Sequence, residues 1–245
     1  MKTSSDKYFI GTSGFAYHHW KDIFYPPNEP ENKWLEYYAR HFDTVEINSS
    51  FYHLPKPAVC ENWRKRTPEG FIFAVKASRF ITHIKRLNNC TEPLARFFNS
   101  IKPLAEKCGP VLFQLPPGLK KDIPRLEVFV VSLPKEYRYT FEFRNETWYD
   151  KDLFSLLDSN SIGFCIHDLP DMVSPIEVTG GFAYVRFHGA ELKYSSPYSD
   201  EELAGWAERM KQWTQSGKDV FAYFNNDAGG YAVNNALTLS RLLNE

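Results

Sequence analysis

Four short runs alternate apolar residues with residues able to do chemistry: Val45-Glu46-Ile47-Asn48, Phe141-Glu142-Phe143-Arg144, Val185-Arg186-Phe187-His188 and Ala222-Tyr223-Phe224-Asn225, the last continued in phase by Asp227. Side chains of a strand alternate between its two faces. The apolar partners therefore assign one face to packing and send Glu46, Asn48, Glu142, Arg144, Arg186, His188, Asn225 and Asp227 to the other. The same alternation turns Lys76 and Gln114 inward. An ionised group in a dry interior costs several kcal/mol even after relaxation. Charges on this many strands must be paired with one another, hydrated, or engaged by a ligand.

Glu46 and Glu142 are the carboxylate candidates for acid–base work, with His188 and Asp227 completing a proton-transfer set. Lys76, Arg144 and Arg186 form an anion clamp, in which arginine offers a planar fork for carboxylate or phosphate. Asn48, Gln114 and Asn225 add neutral hydrogen-bonding groups. The structural alternative pairs Glu142 with Arg186 as an internal ion pair, and Lys76 with Glu46, Glu142 or Asp227. Glu46 has no cation on its own strand, so apolar surroundings would raise its pKa. Two inward carboxylates also admit glycoside hydrolysis. Glu46, Glu142, His188 and Asp227 are the ligand set if a divalent metal binds. No compact H-x-H or H-E-x-x-H spacing supports one, and three nearby cations argue against it. No cofactor is favoured.

Tyr17, Trp20 and Tyr52 stand in loops after these strands, with Phe15, Phe51 and Trp148, and aromatic rings stack on sugars, bases or apolar ligand surface. "SRFITHIKRLN" brings Arg79, His83, Lys85 and Arg86 to a long connection, a candidate lid or local phosphate-binding edge with a solvated basic loop as the default. Gly229 and Gly230 offer either close backbone approach to a phosphate or a tight turn into a helix.

The elements that must position these groups are eight strand-like runs, at 8–15, 44–52, 71–78, 109–116, 137–145, 162–168, 182–189 and 219–227. Helical periodicity lies between most of them, at 34–42, 59–66, 93–107, 123–133, 152–159, 200–216 and 232–243. Only the connection after the sixth run lacks a helix. Eight such units in 245 residues match the size of a (β/α)8 barrel. An open doubly wound sheet more often carries G-x-G-x-x-G after its first strand, and "GTSGF" does not fit it. The expected fold is α/β, a single TIM-type (β/α)8 barrel over 1–245, with large aromatic-rich loops at the C-terminal face of the strands.

The segments "TSGFAYHHWKDIFYP", "TVEINSSFYHLP", "FAVKASRFITHIKRL", "GPVLFQLPP", "FEFRNETW", "VRFHG" and "YFNNDAGGYAVNNA" resemble, in order, the signature segments of the YecE-like family, domain of unknown function 72. The resemblance covers about residues 11–242. It implies a TIM-barrel fold and marks the inward residues as motif positions, without implying a reaction.

Net charge is −1, so no global basic field points to nucleic acid or a membrane surface. No apolar run approaches membrane-spanning length, and "MKTSSDKYFIGTSG" has no signal-peptide core. With four scattered cysteines, free thiols and a cytoplasmic location are expected. The leading functional expectation is an enzyme acting on a small anionic or polyhydroxylated ligand by acid–base or electrostatic catalysis, hydrolysis included. The alternatives are a nucleic-acid-binding or processing protein, such as a metal-dependent phosphodiesterase, and a non-catalytic ligand-binding protein. Oligomeric state is not legible.

Overall fold

The computed structural model describes residues 8–169, 171–189 and 196–245. All eight expected runs form strands: β1 (Tyr8–Thr12), β2 (Thr44–Ile47), β3 (Ile72–Lys76), β4 (Cys108–Gln114), β5 (Tyr139–Glu142), β6 (Gly163–Leu169), β8 (Phe182–Phe187) and β9 (Asp219–Phe224). The helices between them are α1 (Trp34–Tyr38), α2 (Pro57–Arg66), α3 (Thr91–Ile101), α4 (Ile123–Val131), α5 (Lys151–Ser159), α6 (Asp200–Gln215) and α7 (Tyr231–Asn244). Eight parallel strands in hydrogen-bonded order β1-β9-β8-β6-β5-β4-β3-β2 give the α/β, TIM-type (β/α)8 fold.

Two details depart from the sequence expectation. The connection after β6 carries a short strand, β7 (Met172–Val173), which pairs antiparallel with β6 through Asp168 opposite Val173 and Leu169 opposite Met172. The 93–107 helix ends at Ile101 and continues as a tighter turn, Lys102–Lys107, interrupted by Ala105 at φ 50°.

The strands also end earlier than the alternation suggests. Asn48, Arg144, His188 and Asn225 each lie one or two residues past a strand end. Asn48 has already turned helical, at φ −91° and ψ −22°, to start the single turn Ser49–Phe51.

Contacts group the described residues into two compact units. The first comprises those of Met1–Glu46, Ile166–Ser174 and Phe182–Glu245, and the second Ile47–Cys165 with Pro175–Gly181. In the second unit the packing face of the strands is an aromatic stack. Phe141 lies 5.1 Å from Phe113 and 6.1 Å from Phe143, and Phe129 of α4 meets it edge-on. Phe113, Phe141 and Phe143 have no exposed surface, and each such ring contributes roughly 1.5–3 kcal/mol. In the first unit Phe187 does the same against Trp206 of α6, at 5.1 Å. Phe113, Phe141 and Phe187 thus face helices, as the alternation of their runs requires. The four cysteines are free thiols, and burial pushes Cys60 up to about 11. Among the described residues no helix is long and apolar enough to cross a membrane.

β1 and β2 stand at opposite ends of the hydrogen-bonded order, and a side chain joins them. The Tyr38 hydroxyl donates to the Thr44 carbonyl at 3.1 Å and accepts from the Thr12 amide at 3.0 Å. Gly11 makes room for this approach, since a Cβ there would sit 2.3 Å from the Thr44 carbonyl oxygen. The obstructing atom is backbone, so it cannot swing aside. Gly11→Ala should lower unfolding stability by about 1–3 kcal/mol, read as a fall in the urea midpoint at unchanged slope.

Candidate functional site

In the first unit the end of β2 delivers Glu46 into a site with no solvent exposure. Its Oε1 accepts from Ser13 Oγ at 2.7 Å and from Arg186 through Nη2 at 2.8 Å and Nε at 3.2 Å. Its Oε2 accepts from the Tyr184 hydroxyl at 2.6 Å. Arg186 is 1% exposed, so pair and counter-charge are buried together. Four donors converge on one carboxylate, which is how a buried charge is made tolerable. Arg186 therefore pairs with Glu46, where the sequence placed it beside Glu142. Glu46 sits among polar donors and a guanidinium, not in the apolar surroundings supposed for it. Ser13, just past β1, was not singled out in the sequence; its hydroxyl is the group that ties β1's end to this carboxylate.

The neighbouring groups of this unit are also engaged. Tyr17 donates to the Ser13 carbonyl at 2.5 Å. Burial raises the Tyr17 pKa, and the charges of Asp227 and Glu46 raise it further while Arg186 opposes them. His188 is fully buried. The amide Nδ2 of Asn225 meets His188 Nδ1 at 3.2 Å; with the amide donating, Nδ1 accepts and the ring proton sits on Nε2. The His188 backbone amide donates to Asp168 Oδ1 at 2.9 Å, and the Tyr198 hydroxyl donates to Asp168 Oδ2. Burial lifts the Asp168 carboxyl to about 6 despite these two hydrogen bonds.

Asp227 and Trp20 form a structural tie. Trp20 Nε1 donates to Asp227 Oδ1 at 2.6 Å. One His19 N–H is shared between the Asp227 carbonyl at 3.0 Å and Oδ2 at 2.9 Å, leaving Oδ2 the less well served oxygen. Trp20 has no exposed surface and packs among Tyr17, Phe24, Tyr25 and Tyr38. The expected ligand-stacking Trp20 is thus a core residue, because its ring fills the space beneath its own loop. Trp148, 1% exposed, is another. Gly229 and Gly230 adopt φ 71° and 77°, and a Cβ on Gly230 would press within 2.8 Å of Ile23. Turn geometry and packing account for both glycines.

The second unit holds the other carboxylate. Glu142, also without exposure, accepts at Oε1 from Gln114 Nε2 at 2.7 Å and from Arg144 Nε. Cys165 Sγ approaches Oε2 at 3.8 Å. Lys76, 9% exposed, places Nζ 4.4 Å from the centre of the Phe51 ring, a cation–π contact. Phe51 in turn meets the His83 ring edge-on at 5.0 Å.

His83 is half-buried on a wide helical turn, Phe80–Ile84, whose Phe80 carbonyl accepts from the Lys85 amide at 2.8 Å. Such wide turns recur at functional sites. Burial, then Lys76, Arg79 and Arg144, push the His83 imidazole down to about 4, with Glu142 opposing. The charges of Lys76, Arg79 and Arg144 thus all act on one half-buried imidazole, and Arg144 also bonds the buried Glu142. Asn48, in the same unit, has a buried Oδ1 with no hydrogen-bond partner.

The candidates thus separate into sets. Glu46, Arg186 and Tyr17 share one neighbourhood, His188 and Asn225 are bonded to each other, and Asp227 is held by Trp20. Glu142, Arg144 and Gln114 are bonded together, with Lys76 close to His83. Tyr52 is 73% exposed. His83, which the sequence puts on a long basic connection with Arg79, feels the charges of Lys76, Arg79 and Arg144. Lys85 instead lies 5.7 Å from the Phe80 ring, and Arg86 sits in the loop at φ 48°. Among the described residues no group of three His, Cys, Asp or Glu side chains is arranged to hold a metal ion.

Fold and side chains define an α/β barrel protein whose strand ends carry buried, paired charges. The chain belongs to the family described as "Protein of unknown function DUF72", whose sequence profile matches residues 9–245. It is 29% identical over 272 residues to the UPF0759 protein YunF of Bacillus subtilis, covering 96% of this chain and 94% of that one. It is 38% identical over 118 residues to the UPF0759 protein YecE of Escherichia coli, covering 48% and 43%. A crystal structure of a DUF72 family protein from Thermotoga maritima superposes with a TM-score of 0.88 at 30% identity, covering 98% of this chain and all of that one.

The Glu46–Arg186 pair gives a direct test of its structural role. Arg186→Met should destabilise the fold by about 3–5 kcal/mol, because it strands a buried carboxylate. The double variant Glu46→Gln/Arg186→Met should recover much of that loss in denaturant unfolding.

Proposed function

We propose that the protein is an enzyme that takes a small anionic ligand at Lys76, Arg79, His83 and Arg144 and acts on it by acid–base or electrostatic catalysis. The observation that carries this reading is the meeting of cations and an imidazole on one short stretch of structure: Lys76 and His83 both contact the Phe51 ring, and the charges of Lys76, Arg79 and Arg144, with burial, hold the imidazole neutral against the pull of Glu142. A carboxylate or phosphate group is the kind of ligand such cations can receive. Arginine suits it through its planar fork, and lysine through a compact charge.

The same electrostatics give His83 a ligand-dependent role. An anion bound beside the imidazole offsets the cations and raises its pKa toward neutrality, where proton transfer is most effective. Glu142, held by Gln114 and Arg144, stays in place as a fixed charge. The glycosidase reading gains no support, because Glu46 and Glu142 are each already met by donors of their own. Nucleic-acid processing gains none from a net charge of −1.

The test is calorimetric titration with inorganic phosphate and with acetate. Phosphate or acetate should bind the wild type. Arg79→Ala, at an exposed position, should weaken that binding about tenfold, the scale of one charge-assisted contact. Absence of binding, or binding that Arg79→Ala leaves unchanged, would remove the site.

A further inference from the structure

The second unit carries an open cavity of about 340 Å3, walled by Tyr52, Leu54, Phe80, Ile81 and Pro93. Ser78, Glu92 and Arg96 supply its polar groups. That volume falls at the small end of ligand pockets. Two of its walls are large rings left in water, with Tyr52 73% and Phe80 45% exposed. Glu92 and Arg96 are themselves exposed and 3.8 Å apart, a weak surface pair that gives up its partners easily.

The cavity and the cation cluster share their framework. The Phe51 ring stands 5.0 Å from Tyr52 and 5.0 Å from His83, so these two rings lie within about 10 Å of each other. Arg79 is flanked in sequence by Ser78 and Phe80, both lining the cavity, and its charge is among those acting on His83. The wide turn Phe80–Ile84 thus presents Phe80 and Ile81 to the cavity and His83 to the cations.

We infer that the cavity receives the aromatic ring of a ligand whose acidic group, a phosphate or a carboxylate, is held by Arg79 and His83. This rests on the anion site proposed above and narrows its ligand to an aryl phosphate or an arylalkyl carboxylate. Aromatic walls favour offset or edge-on contact with such a ring. The spacing set by Phe51 suits a ring joined directly, or through a short chain, to its acidic group.

Paired titrations of the intact protein separate this from simple anion binding: inorganic phosphate against phenyl phosphate, and acetate against 3-phenylpropionate, at one ionic strength. In at least one pair the aryl compound should bind about tenfold more tightly, the expected scale for one stacked and buried ring. The pair that gains identifies the acidic group. Tyr52→Ala, at a position too exposed to threaten folding, should abolish the gain and leave inorganic phosphate or acetate binding unchanged. Equal affinities within both pairs, or a gain that survives Tyr52→Ala, would overturn the ring site while the anion site stands. Absence of binding by all four compounds would overturn both.

Discussion

A carboxylate without access to water must be answered inside the protein, and both Glu46 and Glu142 are in that position. The answer at Glu46 is complete: a guanidinium, two hydroxyls and no exposed surface. Ser13, Tyr184 and Arg186 reach it from the ends of β1 and β8, so a single charge organises three separate stretches of chain. Burying an ion pair is not in itself a gain over apolar packing, but losing one partner is costly. That asymmetry constrains every residue around it.

The second unit adds a perturbed imidazole. Burial and the charges of Lys76, Arg79 and Arg144 push the His83 pKa far below its usual range, against the opposing pull of Glu142. A half-buried group shifted this far, on a wide turn whose other residues wall an open cavity, is a perturbation of the kind found at functional sites. Phe80 and the wide turn carrying His83 follow directly on Arg79, and the Phe51 ring meets Tyr52, Lys76 and His83, so one short framework holds the exposed rings and two of the cations.

Alternation was enough to read the strands and their faces: Phe141 and Phe187 do pack on helices, and Glu46 and Glu142 are indeed buried. Pairing was not legible, because Arg186 and Glu46 are separated by 140 positions and period-two alternation says which face a residue takes, not which partner it meets. The part played by Arg79 and His83 was underread for a different reason. A wide turn has no sequence period of its own, so "SRFITHIKRLN" reads as loop. Trp20 was misread as a binding ring because an aromatic side chain in a loop looks the same whether it faces ligand or packs beneath the loop. The seam at Tyr38 and Gly11 was hidden as well, since it depends on a side-chain hydroxyl standing in for a backbone ladder.

His83 senses the cations gathered around it. The most direct measurement is an NMR titration of the His83 imidazole, with and without saturating phosphate. The expected free-protein pKa is about 4, against an ordinary 6.5, and it should rise when phosphate occupies the cluster, because an added negative charge favours the protonated ring. A pKa near the ordinary value that phosphate does not move would contradict both the cation cluster and the site built on it.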